Sequence, residues 1–235
     1  KTIIFISHKL NEVLEISDNI TVMRLGKVTA FLKTAKTNTA EICRYMVGRD
    51  VLFDLERAET DVGQMVLSVS NLNVFDQENL PVVKEVSFEV SEGEIVGIAG
   101  VAGNGQDELI RAITGLSEAN HIFGKLELND TDITAASNQE RRANGLSYIP
   151  EDRSTVGLAL QARVAENLLL GYQDDQEIIP GPLIRQQRLE EFSKALVQEY
   201  RIKTSNVFET TANLSGGNLQ KLVVAREMNH NSKLL

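Results

Sequence analysis

The sequence predicts an α/β fold in which apolar strands alternate with amphipathic helices. Two glycine-rich turns that open helices carry this prediction. The apolar run 95–99 leads into a glycine turn and helix over 100–116, and a second glycine turn at 214–217 opens a helix that extends to Met228. An apolar fraction of 42% over 235 residues is sufficient for a folded core.

The composition excludes several classes of protein. Lys plus Arg number 24 and Asp plus Glu 33, so the formal net charge is −9. This charge disfavours a nucleic-acid partner, because phosphate backbones require a basic surface. The single cysteine, Cys43, excludes an internal disulfide framework and suits a reducing compartment. No apolar run approaches the roughly 20 residues that span a bilayer. The chain begins at Lys1 without an initiator Met or a signal-peptide pattern, which indicates a piece of a longer protein.

The first predicted domain, 1–49, has four elements. The apolar residues of 1–6 are typical of a buried strand, and 9–16 has the apolar spacing of a helix. A β-hairpin follows with its turn at Gly26, and a short helix covers 38–48.

A linker is predicted at 50–65, where mixed acids show no periodicity. The second domain, 66–235, then begins with strands. Its predicted strands cover 66–74, 83–90, 95–99, 126–128 and 146–149, its predicted helices follow Gly100, fill most of 155–212 and follow Leu214, and 233–235 starts a further strand.

The turn at 100–107 has the spacing of a phosphate loop, G-x-x-x-x-G-K-[ST]. Glycines let backbone N–H groups converge on an anion, and the helix N-terminus adds its dipole. Two positions depart from the pattern, since Gln106 replaces the lysine and Asp107 replaces the hydroxyl residue that would hold Mg²⁺. The site changes by two charges, each worth roughly 4 kcal/mol at about 4 Å and an effective dielectric constant of about 20. We therefore expect weak nucleotide binding and little hydrolysis here; a glycine turn without a ligand is the alternative.

The turn at 214–217 also opens a helix, but no acid stands in the first turn of that helix and Lys221 is nearby. Its N-terminal N–H groups can bind phosphate. A helix that begins at a capping serine, without a ligand, is the alternative.

Together these motifs resemble those of the ATP-binding cassette (ABC) ATPases. The string Leu-Ser-Gly-Gly at 214–217 is the family's signature motif, and 147–153 occupies its Q-loop position. Phe75 lies 25 residues before Gly100, where the family places an aromatic ring that stacks on adenine. His8, after Ile-Ser, resembles the switch histidine.

The order of these motifs is that of two joined cassettes, since a switch histidine closes one cassette and a phosphate loop opens the next. The chain resembles the end of a first cassette joined to most of a second, as in the ATPase subunits of monosaccharide and nucleoside importers. The likeness around Gln106 favours the nucleoside branch. The resemblance implies an incomplete P-loop NTPase fold of ABC type, with an antiparallel β subdomain and a helical subdomain. The Walker B strand and catalytic glutamate of the second cassette are then expected beyond Leu235.

The resemblance also implies the site residues. His8 is the expected catalytic residue, which polarises the γ-phosphate or the attacking water. Asp107 and Glu151 are expected to contact Mg²⁺, although Glu151 replaces the usual Q-loop glutamine. The residues expected to bind ATP are Phe75, Gly100, Gly103, Asn104, Gly105, Gln106, Asp107, Glu151, Ser215, Gly216, Gly217 and Asn218.

Each of these residues has a simpler interpretation. His8 taken alone is a surface histidine, Phe75 a core residue, and Glu151 with Asp152 a solvated turn. His121 and His230 are predicted to be surface residues.

The implied protein is a peripheral ATPase on the cytoplasmic face of the plasma membrane. Its expected partners are transmembrane permease subunits, an extracytoplasmic solute-binding protein that acts through the permease, and the paired cassette, with no nucleic acid. The intact protein is expected to be an enzyme and this chain alone inactive. A soluble ABC ATPase of translation or DNA repair, and a non-catalytic nucleotide-binding or interaction module, stay open as alternatives.

Overall fold

The computed structural model describes residues 1–48, 60–101, 103–117 and 121–235. The chain divides into two compact units, Lys1–Glu59 and Thr60–Leu235. No helix in the described ranges is both long and apolar enough to cross a membrane. The predicted linker falls largely on residues outside the described ranges, and its boundaries stay a prediction.

The first unit packs two helices and a β-hairpin around a small core. Ile20 and Val22 of the hairpin are buried with Ile42 of the second helix. The side chain of Asn38 caps that helix at its start, and Gly48 ends it in the left-handed conformation. The predicted helix, hairpin and second helix are formed as α1 (Leu10–Ile16), β1 (Asn19–Arg24), β2 (Lys27–Lys33) and α2 (Thr39–Val47).

An antiparallel sheet with the strand order β4-β3-β5-β6 forms the first part of the second unit. The central strand pairs Val69 with Phe88 on one side and with Leu126 on the other. The four strands are β3 (Met65–Phe75), β4 (Pro81–Ser91), β5 (Ile122–Leu128) and β6 (Thr131–Asp132).

Two helices accompany this sheet. Helix α3 (Gln106–Thr114) buries Leu109 and Ile113 in the same cluster as the sheet residues. Helix α4 (Asn138–Ala143) is attached to the end of α3 by Arg141, whose guanidinium donates to the carbonyl of Ile113 at 2.8 Å.

The rest of the second unit contains three further helices joined by turns and loops. Leu168, Leu196 and Leu222 form one core cluster at the meeting of three helices. These helices are α5 (Val164–Leu169), α6 (Gln186–Glu199) and α7 (Gly216–Met228), with a π-helical turn at Arg153–Gly157 and a 3-10 turn at Thr211–Asn213.

Two strands predicted from apolar runs are not formed. Residues 1–6 and 95–99 belong to no sheet, and Ile95 is 79% exposed. Both predictions were therefore wrong. An apolar run supplies side chains for burial, but a strand also needs a neighbour for its N–H and C=O groups. Within the described ranges no strand lies beside either run.

Two further predictions were only partly correct. The predicted strands at 146–149 and 233–235 meet in a single parallel bridge between Leu146 and Leu234.

The prediction that 155–212 is mostly helical also fails in its middle. Residues 170–185 form turns instead of a helix, because Pro180 and Pro182 lack the N–H donors that a helix requires.

Candidate functional site

A glycine-rich loop, described at 100–101 and 103–105, precedes the start of α3. Gly103 and Gly105 have positive φ angles of 87° and 94°, a region in which a residue with a Cβ atom is strained. A Cβ atom on Gly105 would also lie 2.5 Å from the carbonyl oxygen of Val82 in β4. Backbone geometry and the close approach of β4 therefore both require glycine at position 105.

Gln106 folds back over this loop. Its Nε2 donates a hydrogen bond to the carbonyl of Val101 at 3.2 Å, and a Cβ atom on Gly100 would collide with it. Asp107 and Glu108 occupy the first turn of α3, where acids already interact with the positive end of the helix dipole. The glycines permit the backbone of an anion cradle, but the side chains of Gln106, Asp107 and Glu108 add no positive charge.

A cavity of about 860 Å³ lies between this loop, β4 and α3. Its volume falls in the range of small-molecule sites, and its β4 wall is largely apolar. Among the described lining residues, Lys84 brings a positive charge and Glu108 a negative one. No sequence signal singles out Lys84, because one exposed lysine in a strand matches no motif.

Phe75 ends β3 opposite Pro81 of β4. Its ring meets the edge of Phe123 at a centroid distance of 5.5 Å and an angle of 86°. Phe75 is half-buried, so one side of the ring is held in place while part of it stays accessible. Its stacking on adenine stays a prediction.

The Tyr148 hydroxyl is influenced by both carboxylates expected to contact Mg²⁺. Burial raises the pKa of its hydroxyl above the ordinary value, the negative charges of Asp107 and Glu151 raise it further, and Arg111 opposes them. The negative charges of both carboxylates therefore act on the Tyr148 hydroxyl. Within the described ranges no three His, Cys, Asp or Glu residues cluster as a metal site. Two carboxylates fit Mg²⁺, which commonly takes one or two protein carboxylates together with phosphate oxygens.

Asp152 fixes the segment that follows Glu151. Its carboxylate accepts the backbone N–H of Ser154 at 2.8 Å and of Thr155 at 3.1 Å. It also accepts the Thr155 hydroxyl at 2.7 Å. These hydrogen bonds, that of the Thr155 hydroxyl first, hold the pKa of Asp152 below its ordinary value. The turn at Glu151 and Asp152 is solvent-exposed, yet Asp152 has a structural role as the cap of the π-helical turn.

The turn at Ser215–Gly217 exposes the start of α7. Ser215 is the N-cap but its side chain accepts no backbone N–H; its Oγ instead accepts Nδ2 of Asn218 at 2.9 Å. In the described structure no hydrogen bond engages the backbone N–H of Gly216 or Gly217. Lys221, expected near this turn, donates to the carbonyl of Arg201 at 2.7 Å. The turn therefore offers unoccupied backbone donors without an acid in the first turn.

A groove of about 690 Å³ lies at the other end of α7. Its lining includes Arg142, Gly171, Glu227 and His230. The prediction that His230 is a surface residue was wrong: the ring packs on Tyr172 at 5.3 Å, and its Nδ1 is buried without a partner. A lone histidine in a polar stretch carries no sequence signal for this packing.

His8 lies in the first unit, whereas the other expected site residues lie in the second. Its side chain is exposed in the segment before α1. In the second unit, Asp107 follows the glycine loop directly and shares with Glu151 an effect on the pKa of Tyr148; the catalytic role of His8 stays a prediction.

Comparison with known proteins identifies the family. The family described as "ABC transporter" matches residues 83–235, which includes both glycine turns and the segment between them. This chain belongs to the ABC transporter family.

Curated members of the ABC transporter family match almost the whole chain. It is 35% identical over its full length to the nucleoside import ATP-binding protein NupA of Lactococcus lactis, of which it covers 46%. It is 37% identical to the glucose import ATP-binding protein TsgD13 of Haloferax volcanii, of which it covers 42%, and 36% identical to the xylose import ATP-binding protein XylG of Thermoanaerobacter pseudethanolicus, of which it covers 46%. The chain thus spans somewhat less than half the length of these relatives.

Solved ABC cassettes confirm the predicted fold class. The ADP conformation of the cassette MJ1267 aligns over 72% of this chain and 66% of that one, with a TM-score of 0.54 and 21% identity. The dimeric cassette MJ0796, bound to ADP and phosphate, aligns over 71% and 70% with a TM-score of 0.55 and 17% identity. At these identities the likeness concerns the fold, a P-loop NTPase of ABC type with an antiparallel sheet and a helical part.

Proposed function

We propose that this chain is part of the ATP-hydrolysing subunit of an importer for nucleosides or simple sugars, and that it spans the end of one cassette and most of a second. The relatives named as nucleoside, glucose and xylose import proteins support this substrate class. The choice of nucleosides over sugars rests only on the likeness around Gln106.

One observation carries the proposal: the exposed turn at the start of α7 is free to bind an anion. Gly216 and Gly217 present backbone N–H groups to solvent, and no acid stands in the first turn. In the proposed intact protein this turn faces the phosphate loop of the first cassette, and ATP lies between the two. Ser215 and Asn218 orient the turn, and His8 belongs to the same composite site.

The phosphate loop of this chain is proposed to be the weaker of two sites. Gln106 contributes no charge, and Asp107 places a carboxylate at the position where the family pattern has a hydroxyl. The intact protein then has one hydrolytic site and one degenerate site. This chain alone is proposed to be inactive, because it holds no complete site. By itself the chain corresponds to the alternative of a non-catalytic nucleotide-binding or interaction module.

The residues fit ATP and Mg²⁺ in specific roles. The glycine loop and the turn at 215–217 offer backbone donors to phosphates, and Phe75 offers a ring to adenine. Asp107 and Glu151 hold Mg²⁺, which neutralises phosphate charge when bound. Catalysis in such a site consists of positioning and charge stabilisation of the transferring phosphoryl group.

The groove at the end of α7 is proposed to receive a permease subunit on the cytoplasmic face of the membrane. Exposed apolar residues at its rim, Leu116, Val156 and Leu170, are 49%, 58% and 42% exposed. Apolar side chains that stay exposed around a groove are typical of a surface that contacts another protein. The extracytoplasmic solute-binding protein is proposed to act through that permease.

The test is Ser215→Ala in the intact protein. Since Ser215 gives no cap hydrogen bond, the fold should persist, whereas ATP hydrolysis should fall at least ten-fold. Gln220→Ala, an exposed change one turn further along the same helix, is the control and should keep full activity. Unchanged hydrolysis in Ser215→Ala would contradict the composite site, and a pull-down without a permease would favour a soluble ATPase.

A further inference from the structure

A buried ion cluster joins the carboxyl end of α7 to two other segments. Glu227 is 1% exposed and accepts Nη1 of Arg142 in α4 at 2.8 Å and Nε of Arg226 at 2.7 Å. Its carboxylate also accepts the backbone N–H of Tyr148 at 3.2 Å, and its carbonyl accepts the hydroxyl of Ser147 at 3.2 Å. One glutamate thus holds α4, α7 and the chain just before the π-helical turn.

The π-helical turn is hydrogen-bonded to α7 at one end and lies close to it at the other. Nη1 of Arg226 donates to the carbonyl of Gly157 at 2.9 Å, and a Cβ atom on Gly157 would lie 3.4 Å from Val223. At the other end of the turn, a Cβ atom on Gly216 would lie 3.3 Å from Nη2 of Arg153. The turn therefore lies along α7 from its first turn to its last.

We propose that Glu227 is a positioning residue that sets the place of the Glu151 segment relative to the turn at Ser215. This inference rests on the proposed function, in which Glu151 contacts Mg²⁺ and the turn at Ser215 contacts phosphate. Helix α7 has 13 residues, about 20 Å, and its two ends move together because the helix is rigid over that length. Glu227, near the carboxyl end of α7, therefore determines where the segment that leads to Glu151 lies relative to the turn at Ser215.

The ion pair between Arg142 and Glu227 makes this attachment depend on charge. Among the described residues, Glu227 is the one charged partner of Arg142. The Nε and Nη2 atoms of Arg142 are buried without a hydrogen-bond partner. A buried guanidinium that loses its carboxylate is strongly unfavourable and has to move toward solvent. Because Tyr148 donates to the same carboxylate, movement of Glu227 or of Arg142 releases the segment that leads to Glu151.

The experiment is amide hydrogen exchange on the full 235-residue chain carrying Glu227→Gln, which replaces one acceptor oxygen by a donor facing an arginine. The amides of Tyr148, Val156 and Gly157 should exchange at least ten-fold faster, while those of β3 and β4 stay within two-fold. Unchanged exchange at the three amides overturns the proposal. An equal rise throughout the sheet also overturns it, because that result means a general loss of stability.

Three further variants keep the test decisive if Glu227→Gln folds poorly. Arg142→Lys retains a cation for Glu227 and should exchange like the parent, whereas Arg142→Gln should match Glu227→Gln. The double Arg142→Gln/Glu227→Gln should not exceed either single variant, because both remove the same contact. Arg142→Lys that opens the segment as much as Arg142→Gln overturns the role of charge. Glu190→Gln, which breaks the exposed pair with Lys194 on α6, is the matched control.

A functional measurement separates this proposal from the proposed function. The ratio of ATP dissociation constants without and with Mg²⁺ should fall at least three-fold in Glu227→Gln. An unchanged ratio in a variant with an opened segment overturns the positioning role. A parent chain that binds no ATP counts against nucleotide binding by this chain, and the exchange results still decide whether Glu227 holds the segment.

Discussion

The two glycine turns of the second unit open helices of opposite electrostatic character. At α3, Gln106 folds over the loop and Asp107 begins an acidic first turn. At α7, Gly216 and Gly217 leave their N–H groups unengaged and the first turn contains no acid. Glycines shape both turns, so the backbone alone does not distinguish them. The side chains of the first helical turn decide whether such a turn attracts an anion.

The largest expected effect comes from giving α3 the charges of a phosphate loop. Gln106→Lys/Asp107→Ser should tighten binding of ATP with Mg²⁺ about 100-fold, equivalent to about 2.7 kcal/mol, because a cation is added and an anion removed beside the phosphates. Isothermal titration calorimetry on this chain measures the change. Gln198→Lys/Glu199→Ser makes the same charge change at the exposed end of α6 and should leave the affinity unchanged. Tight binding by the unmodified chain would contradict the proposal that this phosphate loop is the weaker site.

A smaller effect is expected on the free energy of unfolding when a glycine of either turn is replaced by alanine. Gly105→Ala should destabilise the second unit by about 2 kcal/mol, since φ is 94° and the new Cβ would lie 2.5 Å from the Val82 carbonyl. Gly217→Ala should stabilise it by about 0.5–1 kcal/mol, because no atom lies within 4 Å of the new Cβ. Urea unfolding measures both free energies. Equal effects of the two substitutions would contradict the difference in backbone strain.

The smallest effect concerns the segment beside α7. Asp152 caps the π-helical turn, and its pKa is lowered on folding. A carboxyl with a lowered pKa stabilises the folded turn above its ordinary pKa of about 3.9, and this stabilisation is lost as the pH falls through the lowered value. Amide exchange at Ser154 and Thr155 should therefore gain an extra acceleration at acid pH that Asp152→Asn lacks. Identical pH profiles in the two proteins would contradict the capping role of Asp152.

Local patterns predicted the elements whose stability is local. Helix α2 has a capping asparagine at its start and Gly48 at its end, and the hairpin has Gly26 at its turn. Helix α7 follows its glycine turn as expected. Each of these signals lies within the residues of the element itself, so the sequence was sufficient to find them.

Other features depend on residues far apart in the chain. The apolar runs 1–6 and 95–99 looked like strands, but a strand also depends on a neighbour that the run does not encode. Arg142 and Glu227 are 85 positions apart, and no sequence pattern predicts that they form an ion pair. The sequence places the expected site motifs along the chain, whereas the effect of Asp107 and Glu151 on the Tyr148 pKa depends on the fold.

The exposed run 95–101 affects how the protein behaves at high concentration. Ile95 and Val101 are 79% and 75% exposed, and the run lies outside any sheet. An exposed apolar segment that pairs with no strand readily adds a strand from another copy, which leads to aggregation. The chain should therefore aggregate more as its concentration rises. A charged residue in place of Ile98, itself 48% exposed, is the simplest way to keep it dispersed during the titrations.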